Sequence, residues 1–266
     1  MDPRNAPCHN FPCHNAPCHN FPCNNASAPP ARNPFATRFF QPGAIAFHFG
    51  SSANTQSLVD QLIASEPSLP PKHLSHAQTS SQSQRLTTRK CFAIVGPHGT
   101  GKSTLLSEIQ SEILKRHANL SSKSLFLNSA LSPSRCLKQT LQLLANHSVS
   151  LVDGYEQLPK WGIPLTRRLA TLLRRTFLVT SHSLPYGFCE LWKTQMNPQI
   201  EHYVVSQLLT QIEPGKADST CLILEEMMQS QEWIRSRNKH GENLRESLFD
   251  MYDWWRDRVD ENLKNR

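Results

Sequence analysis

Residues 96–103 read Gly-Pro-His-Gly-Thr-Gly-Lys-Ser, and their surroundings restrict the chain more than any other feature. Before them lies the apolar run Cys91 to Val95, CFAIV. After them, Leu105, Leu106, Ile109 and Ile113 recur at helical spacing between Lys102 and His117. A strand, a tight glycine loop and a helix in this order match G-x-x-x-x-G-K-[ST] in the setting that pattern requires. Glycines let the backbone curl so that successive N–H groups point inward, and the helix N-terminus adds partial positive charge. Gly96, Pro97, His98, Gly99, Thr100, Gly101, Lys102, Ser103 and Thr104 are therefore expected to cradle a nucleoside triphosphate, ATP with Mg2+. Lys102 would reach the β- and γ-phosphates and Ser103 would ligate the metal.

Further along, short apolar runs alternate with amphipathic stretches, which implies α/β architecture with parallel strands and crossover helices. Strands are expected at Cys91–Val95, Ser124–Leu127, Val149–Val152 and Thr176–Thr180, and helices at Lys102–His117 and Pro133–Ala145. A helix is also expected at Pro164–Arg175, with Leu165, Leu169, Leu172 and Leu173 on one face and Arg167, Arg168, Arg174 and Arg175 on another. Before the glycine loop, Ala44–Phe49 reads as a short strand and Ser57–Ala64 as a helix. Beyond Asn197 the pattern is mostly helical, ending in a stripe of Leu244, Leu248, Tyr252, Trp255 and Val259.

A second chemical signal is Ser150-Leu151-Val152-Asp153, an apolar run ending in aspartate, the Walker B pattern. Asp153 is expected to hold the magnesium shell from opposite Ser103. Its neighbour is Gly154, and the nearest following carboxylate is Glu156. The strand TFLVT runs into Ser181 and His182, polar groups at a strand tip.

These motifs, with NPFATRF, GPHGTGKSTLL, LVDGYEQL, LVTSH and GENLRESLFDMYD in order from Asn33 to about Arg258, resemble bacterial P-loop ATPases of the AAA+/STAND-like, additional-strand kind. That resemblance implies a three-layer sandwich with sheet order 5-1-4-3-2 and a small C-terminal helical lid. It makes Glu156 the water-activating base, Ser181 or His182 the polar sensor, and Arg245 a lid arginine that closes onto the phosphates. The pattern departs from ring-forming members in having no Arg between His182 and Glu190. No LSGGQ signature is present either.

The 266 residues suffice for one medium domain with extensions. The organisation expected is a leader at 1–32, a strand/helix extension and linker at 33–84, a nucleotide-binding core at 85–215 and a helical lid at 216–266. The leader repeats NAPCHNFPC(H/N), carrying Cys8, Cys13, Cys18 and Cys23 beside His9, His14 and His19. Knuckles need two ligands about two to four residues apart and a folded spacer, which these Pro-rich units lack, so a disordered leader is expected in preference to a metal site. Cys91, Cys136, Cys189 and Cys221 sit in apolar contexts as core residues, and a cytoplasmic protein with no membrane span is expected.

Net charge is +7. No acidic residue occurs from Gln157 to Cys189, where Lys160 and the four arginines lie. Nucleic acid is admitted by that charge but not favoured, because no aromatic residues interleave the arginines. The reading adopted is an ATPase that hydrolyses MgATP slowly and switches conformation with bound nucleotide; a protein partner or a homo-oligomer is admitted, and the output is left open. The alternatives are a small-molecule or nucleotide kinase and a nucleic-acid-associated regulator.

Overall fold

Every residue of CFAIV, VSLVD and TFLVTS is buried, as strands covered on both faces must be. The computed structural model describes Phe35 and residues 45–50, 53–64, 91–210 and 217–264, without the side chains of 217–221 and 258–264. The chain divides into units Met1–Arg32 and Asn33–Arg266, and every described residue belongs to the second. The cysteine repeat and the stretch 67–84 lie outside the described residues.

The strands are β1 (Cys91–Val95), β2 (Ser122–Phe126), β3 (Val149–Asp153), β4 (Thr176–Ser181) and β5 (Cys189–Lys193). They form one parallel sheet in the order β2-β3-β4-β1-β5. This is the P-loop sandwich, with the strand bearing His182 at its tip inserted between the glycine-loop strand and the Asp153 strand. Edge strands β2 and β5 are only partly buried, so their sequences lack the continuous apolar run of the central three.

On one face α1 (Thr55–Ala64) and α2 (Lys102–Arg116) pack against Phe92, Ile94, Leu151 and Leu178. Leu105, Leu106, Ile109 and Ile113 of α2 are all buried there, each contributing roughly 1.5–3 kcal/mol. On the other face α3 (Pro133–Asn146) and α4 (Gly162–Leu172) cover Ala93, Val152, Phe177 and Val179. Ser132 caps α3, its side chain accepting from the backbone N–H of Arg135, with Pro133 in the first turn. A third core joins α5 (Pro198–Thr210), which lies inside the expected span 85–215, with α6 (Ala217–Gln229), α7 (Gln231–His240) and α8 (Leu244–Lys264) of the expected lid, and Phe35 lies edge-on to Trp255.

Several sequence expectations need correction. Residues 45–49 form no strand. The Phe47 N–H donates 2.5 Å to Glu108 Oε1 instead of to a sheet neighbour, and Phe49 packs edge-on to Trp192. Helix α4 begins earlier than expected and stops at Leu172; Arg174, at φ 54°, and Arg175 lie beyond it, so the four arginines share no helical face. Its buried residues are Gly162, Thr166 and Ala170, because the aromatic layer of Tyr155, Phe177 and Phe188 leaves room beneath the helix only for small side chains. Leu165, Leu172 and Leu173 therefore face outward. In α8, Tyr252 is exposed and Met251 takes its place in the core, while the Val259 side chain is outside the described residues. Among the cysteines, Cys91 and Cys136 are buried, Cys189 is half-buried, and the Cys221 side chain is not described. Burial pushes the Cys91 thiol up to about 11, as an inert core group requires. Among the described residues no helix is long and apolar enough to cross a membrane.

The turn after β3 sets the position of everything downstream of Asp153. Gly154 has φ 78°, and a Cβ there would lie 2.6 Å from the Leu127 carbonyl oxygen. Gly154→Ala should therefore cost at least about 2 kcal/mol, the left-handed penalty plus the contact, read as a lower urea midpoint.

Candidate functional site

At the C-terminal ends of β1, β3 and β4 the chain encloses a cavity of about 770 Å³. His98 through Thr104 line it, together with Asp153, Glu156, His182 and Arg245. Residues from four separate stretches of sequence thus converge on one cleft. Gly96 and Pro97 form the rim through their carbonyls: Lys102 Nζ donates to Gly96 O at 2.7 Å and to Pro97 O at 2.5 Å. Burial lowers the pKa of Lys102, opposed by the charges of Glu156 and Asp153. A phosphate oxygen is a stronger acceptor for an ammonium than either carbonyl.

The glycine loop is held from three directions. The Gly96 N–H donates to Ser181 O at the end of β4, at 3.3 Å. Thr194, just past β5, places its Oγ1 2.6 Å from that of Thr100, and a Cβ on Gly96 would collide with it. At the loop's apex, Gly99 lies against the Asn243 side chain and the Arg245 backbone N–H, where α8 begins. Two helix N-termini, of α2 and α8, meet at this loop.

The strand tips carry the polar groups. Asp153 Oδ1 accepts from Thr180 Oγ1 at 2.5 Å, and Thr180 Oγ1 accepts from the Gly154 N–H at 3.0 Å. A left-handed Gly154 leaves no place for a carboxylate beside Asp153, and a single 3-10 turn, Tyr155–Gln157, instead brings Glu156 to the cavity. Tyr155 anchors that turn, its ring buried and its hydroxyl 2.7 Å from Thr166 Oγ1. Glu156 Oε1 is 3.2 Å from His182 Nε2, and His182 Nδ1 is 3.4 Å from Gly96 O. As an imidazolium the ring donates to both at once. His98 stacks on it with centroids 3.8 Å apart. Burial, then the nearby His182 and Lys102, push the His98 pKa below the usual histidine range, which suits a stacking partner without charge.

Of the two sensor candidates at the tip of β4, the structure brings His182 into the cleft and buries Ser181, whose carbonyl serves the loop. The Arg245 guanidinium lies 5.5 Å over the Phe249 ring at the cavity's edge. The far wall is apolar, formed by Ile45, Met196, Ile200, Val204, Leu244 and Leu248. Thr180, Thr194 and Asn243 escaped the sequence reading. Thr180 is the last threonine of TFLVT and Thr194 follows a strand whose apolar signal is weak, so neither stands out by pattern.

Ser103 and Asp153 line the same cavity, so their oxygens form a donor set suited to a hard divalent cation beside the loop. The combination of a glycine loop, a lysine and an apolar wall suits a nucleotide with its phosphates at the loop.

No family model and no curated protein matches the chain. Among solved structures, domain III of the Thermotoga maritima replication initiation protein DnaA is similar at 13% identity, over 61% of this chain and 83% of that one, with TM-score 0.38. C. elegans PCH-2 is similar at 16% identity, over 79% of this chain and 67% of that one, with TM-score 0.40. Likeness at this level carries no weight for chemistry or assembly.

The contact between Thr194 and Thr100 is buried and belongs to neither helix nor sheet. Thr194→Val keeps the shape and removes one hydroxyl, so stability should fall by about 1 kcal/mol. In a unit of this size that is a melting temperature lower by roughly 2–4 °C, which Thr194→Ser should restore.

Proposed function

We propose that the cleft binds MgATP and that the chain is a slow ATPase of the AAA+/STAND-like kind, using bound nucleotide to set its helical lid. The observation that carries this reading is the convergence of Lys102, the Ser103/Asp153 pair and the Glu156–His182 pair on one cavity with an apolar wall. The apolar wall takes the base, and the two helix N-termini and Lys102 take the phosphates. Ser103 and Asp153 would hold a magnesium ion, which when bound would neutralise charge on the phosphate oxygens.

The remaining chemistry belongs to Glu156 and His182. Glu156 accepts a proton from water as the water oxygen attacks the γ-phosphorus. The bond from that phosphorus to the β–γ bridging oxygen breaks, and ADP leaves with the electron pair. His182 fixes the carboxylate from one side, and its other nitrogen is tied to the loop, so the base and the loop keep one relative position. The lid reading is supported by the contact of Asn243 and Arg245 with Gly99, where a change in the loop reaches α8 directly. Slow turnover fits a chain with no Arg between His182 and Glu190 to act on a neighbour's phosphates.

The kinase alternative loses its main support, because no residue of α4 lines the cavity and its arginines cannot serve as a lid over the phosphates.

Calorimetry on Lys102→Ala should show MgATP binding lost with the fold intact, and unchanged affinity would end the nucleotide reading. Glu156→Gln should keep ATP affinity while turnover drops by at least about 100-fold, a barrier higher by roughly 2.7 kcal/mol. Turnover should be measured with and without DNA, RNA and small hydroxyl acceptors. Brisk hydrolysis that survives Glu156→Gln would remove Glu156 as the base.

A further inference from the structure

The face of α4 turned away from the sheet is at odds with an ordinary solvated helix. Trp161, its N-cap, is 63% exposed, Leu165 42% and Leu172 79%. These positions are spaced four and seven residues apart, so they share one side of the helix, and exposed Arg168 lies at its edge. The stripe runs over twelve residues, eleven rises of roughly 1.5 Å, or about three turns.

Charge selects the occupant. Lys160, Arg168 and Arg174 border the stripe, and no Asp or Glu occurs between Gln157 and Cys189. A complementary surface must then be acidic as well as apolar. Several of the chain's own described carboxylates are already paired with cations. In the lid, Asp250 is engaged by Lys239 and His240, Asp253 and Asp257 by Arg256, and in α5 Glu201 by Arg237. Two copies would also meet with a formal charge of +7 each. Residues 1–34 carry Asp2 against Arg4 and Arg32, and residues 65–90 carry Glu66 against Lys72, Arg85, Arg89 and Lys90.

Single-stranded nucleic acid would need several rings along the stripe, where Trp161 is followed only by leucines, which offer no π-face. Tyr186 is exposed, but its ring lies 5.6 Å beneath the Arg167 guanidinium, and Arg167 points to the β4–β5 connection, off the stripe.

We propose that the outward stripe of α4, Trp161, Leu165 and Leu172 bordered by Lys160, Arg168 and Arg174, docks an acidic amphipathic helix of a partner protein. The partner helix presents apolar residues at three- and four-residue spacing and carboxylates at the flanks, over at least three turns. Leucine and tryptophan supply the desolvated centre and the cations the rim. The surface stands apart from the nucleotide cleft, so it neither needs the ATPase reading nor falls with it.

The test uses the full chain and a labelled synthetic peptide of about three heptads, with Leu at a and d and Glu at e and g, beside a twin carrying Lys in place of Glu. Fluorescence anisotropy should show the Glu peptide binding, with affinity falling as salt rises, and the Lys peptide failing to bind. The double substitution Leu165→Asp with Leu172→Asp should weaken binding at least about tenfold while MgATP affinity stays the same. Arg168→Glu, which removes no apolar contact, should weaken the Glu peptide and favour the Lys peptide, so the outcome does not depend on the double variant folding. The proposal is overturned if the wild type ignores the Glu peptide, if both peptides bind alike, or if neither substitution changes binding. It is equally overturned if sedimentation finds a dimer that Leu172→Asp dissolves, or if a single-stranded oligonucleotide binds in a salt-sensitive way that the double variant abolishes.

Discussion

The structure depends on how the glycine loop is pinned. A backbone that presents several N–H groups to one anion has few internal hydrogen bonds and must be held from outside. Here the holds come from three elements that are not neighbours in sequence: Ser181 O on Gly96, Thr194 on Thr100 and Asn243 on Gly99. The first requires β4 beside β1 and the second requires β5 on β1's other side, which is the observed strand order. Sheet topology and loop geometry are therefore one constraint. A loop built on β1 and α2 alone would lack both lateral contacts.

The same reasoning explains the displaced carboxylate. With Phe126 in register with Asp153, the chain leaving β3 passes close to the Leu127 carbonyl, and only a glycine fits the turn. On the proposed reading, the acid that would polarise water cannot then sit beside Asp153, the proposed metal ligand. It follows two residues later, in a turn whose direction is set by the buried Tyr155 ring beneath it. His182 completes the arrangement from β4, and because Thr180 of the same strand bonds Asp153, one strand end orients both carboxylates.

What could be read from the sequence follows from how strongly each element is determined by its own residues. Central strands β1, β3 and β4 are buried on both faces, so burial writes a continuous apolar run, and α2 buries the four residues its period marks. The edge strand β5 alternates and has Pro185 and Gly187 shortly before it, leaving little apolar signal of its own. Helix α4 misled for a different reason. Its leucines have core character, but the space beneath the helix was already filled by Tyr155, Phe177 and Phe188, a tertiary fact with no local trace. In the cleft, motif residues were legible because their chemistry is distinctive. Thr180 and Thr194 act only through partners distant in sequence, and the local role of Asn243 is to accept from the Glu246 N–H at the start of α8, which does not reveal its contact with Gly99.

The lid joins the cleft through two short links, which decides how nucleotide and lid can influence each other. Helix α5 starts four residues after Thr194, which is fixed to the loop, with Asn197 Oδ1 accepting from the Ile200 N–H at 2.8 Å. Helix α8 starts where Asn243 meets Gly99. Between those attachments the lid is cross-braced. Arg237 ties α7 to Glu201 of α5, and Ser236, Lys239 and His240 converge on Asp250 of α8, holding its carboxyl below the usual range although burial opposes this. A braced unit attached at both ends to one loop cannot follow that loop by bending internally. If the loop shifts as the proposed switch requires, the unit would move as a body and carry that shift along α8 to the Phe35–Trp255 contact midway along it.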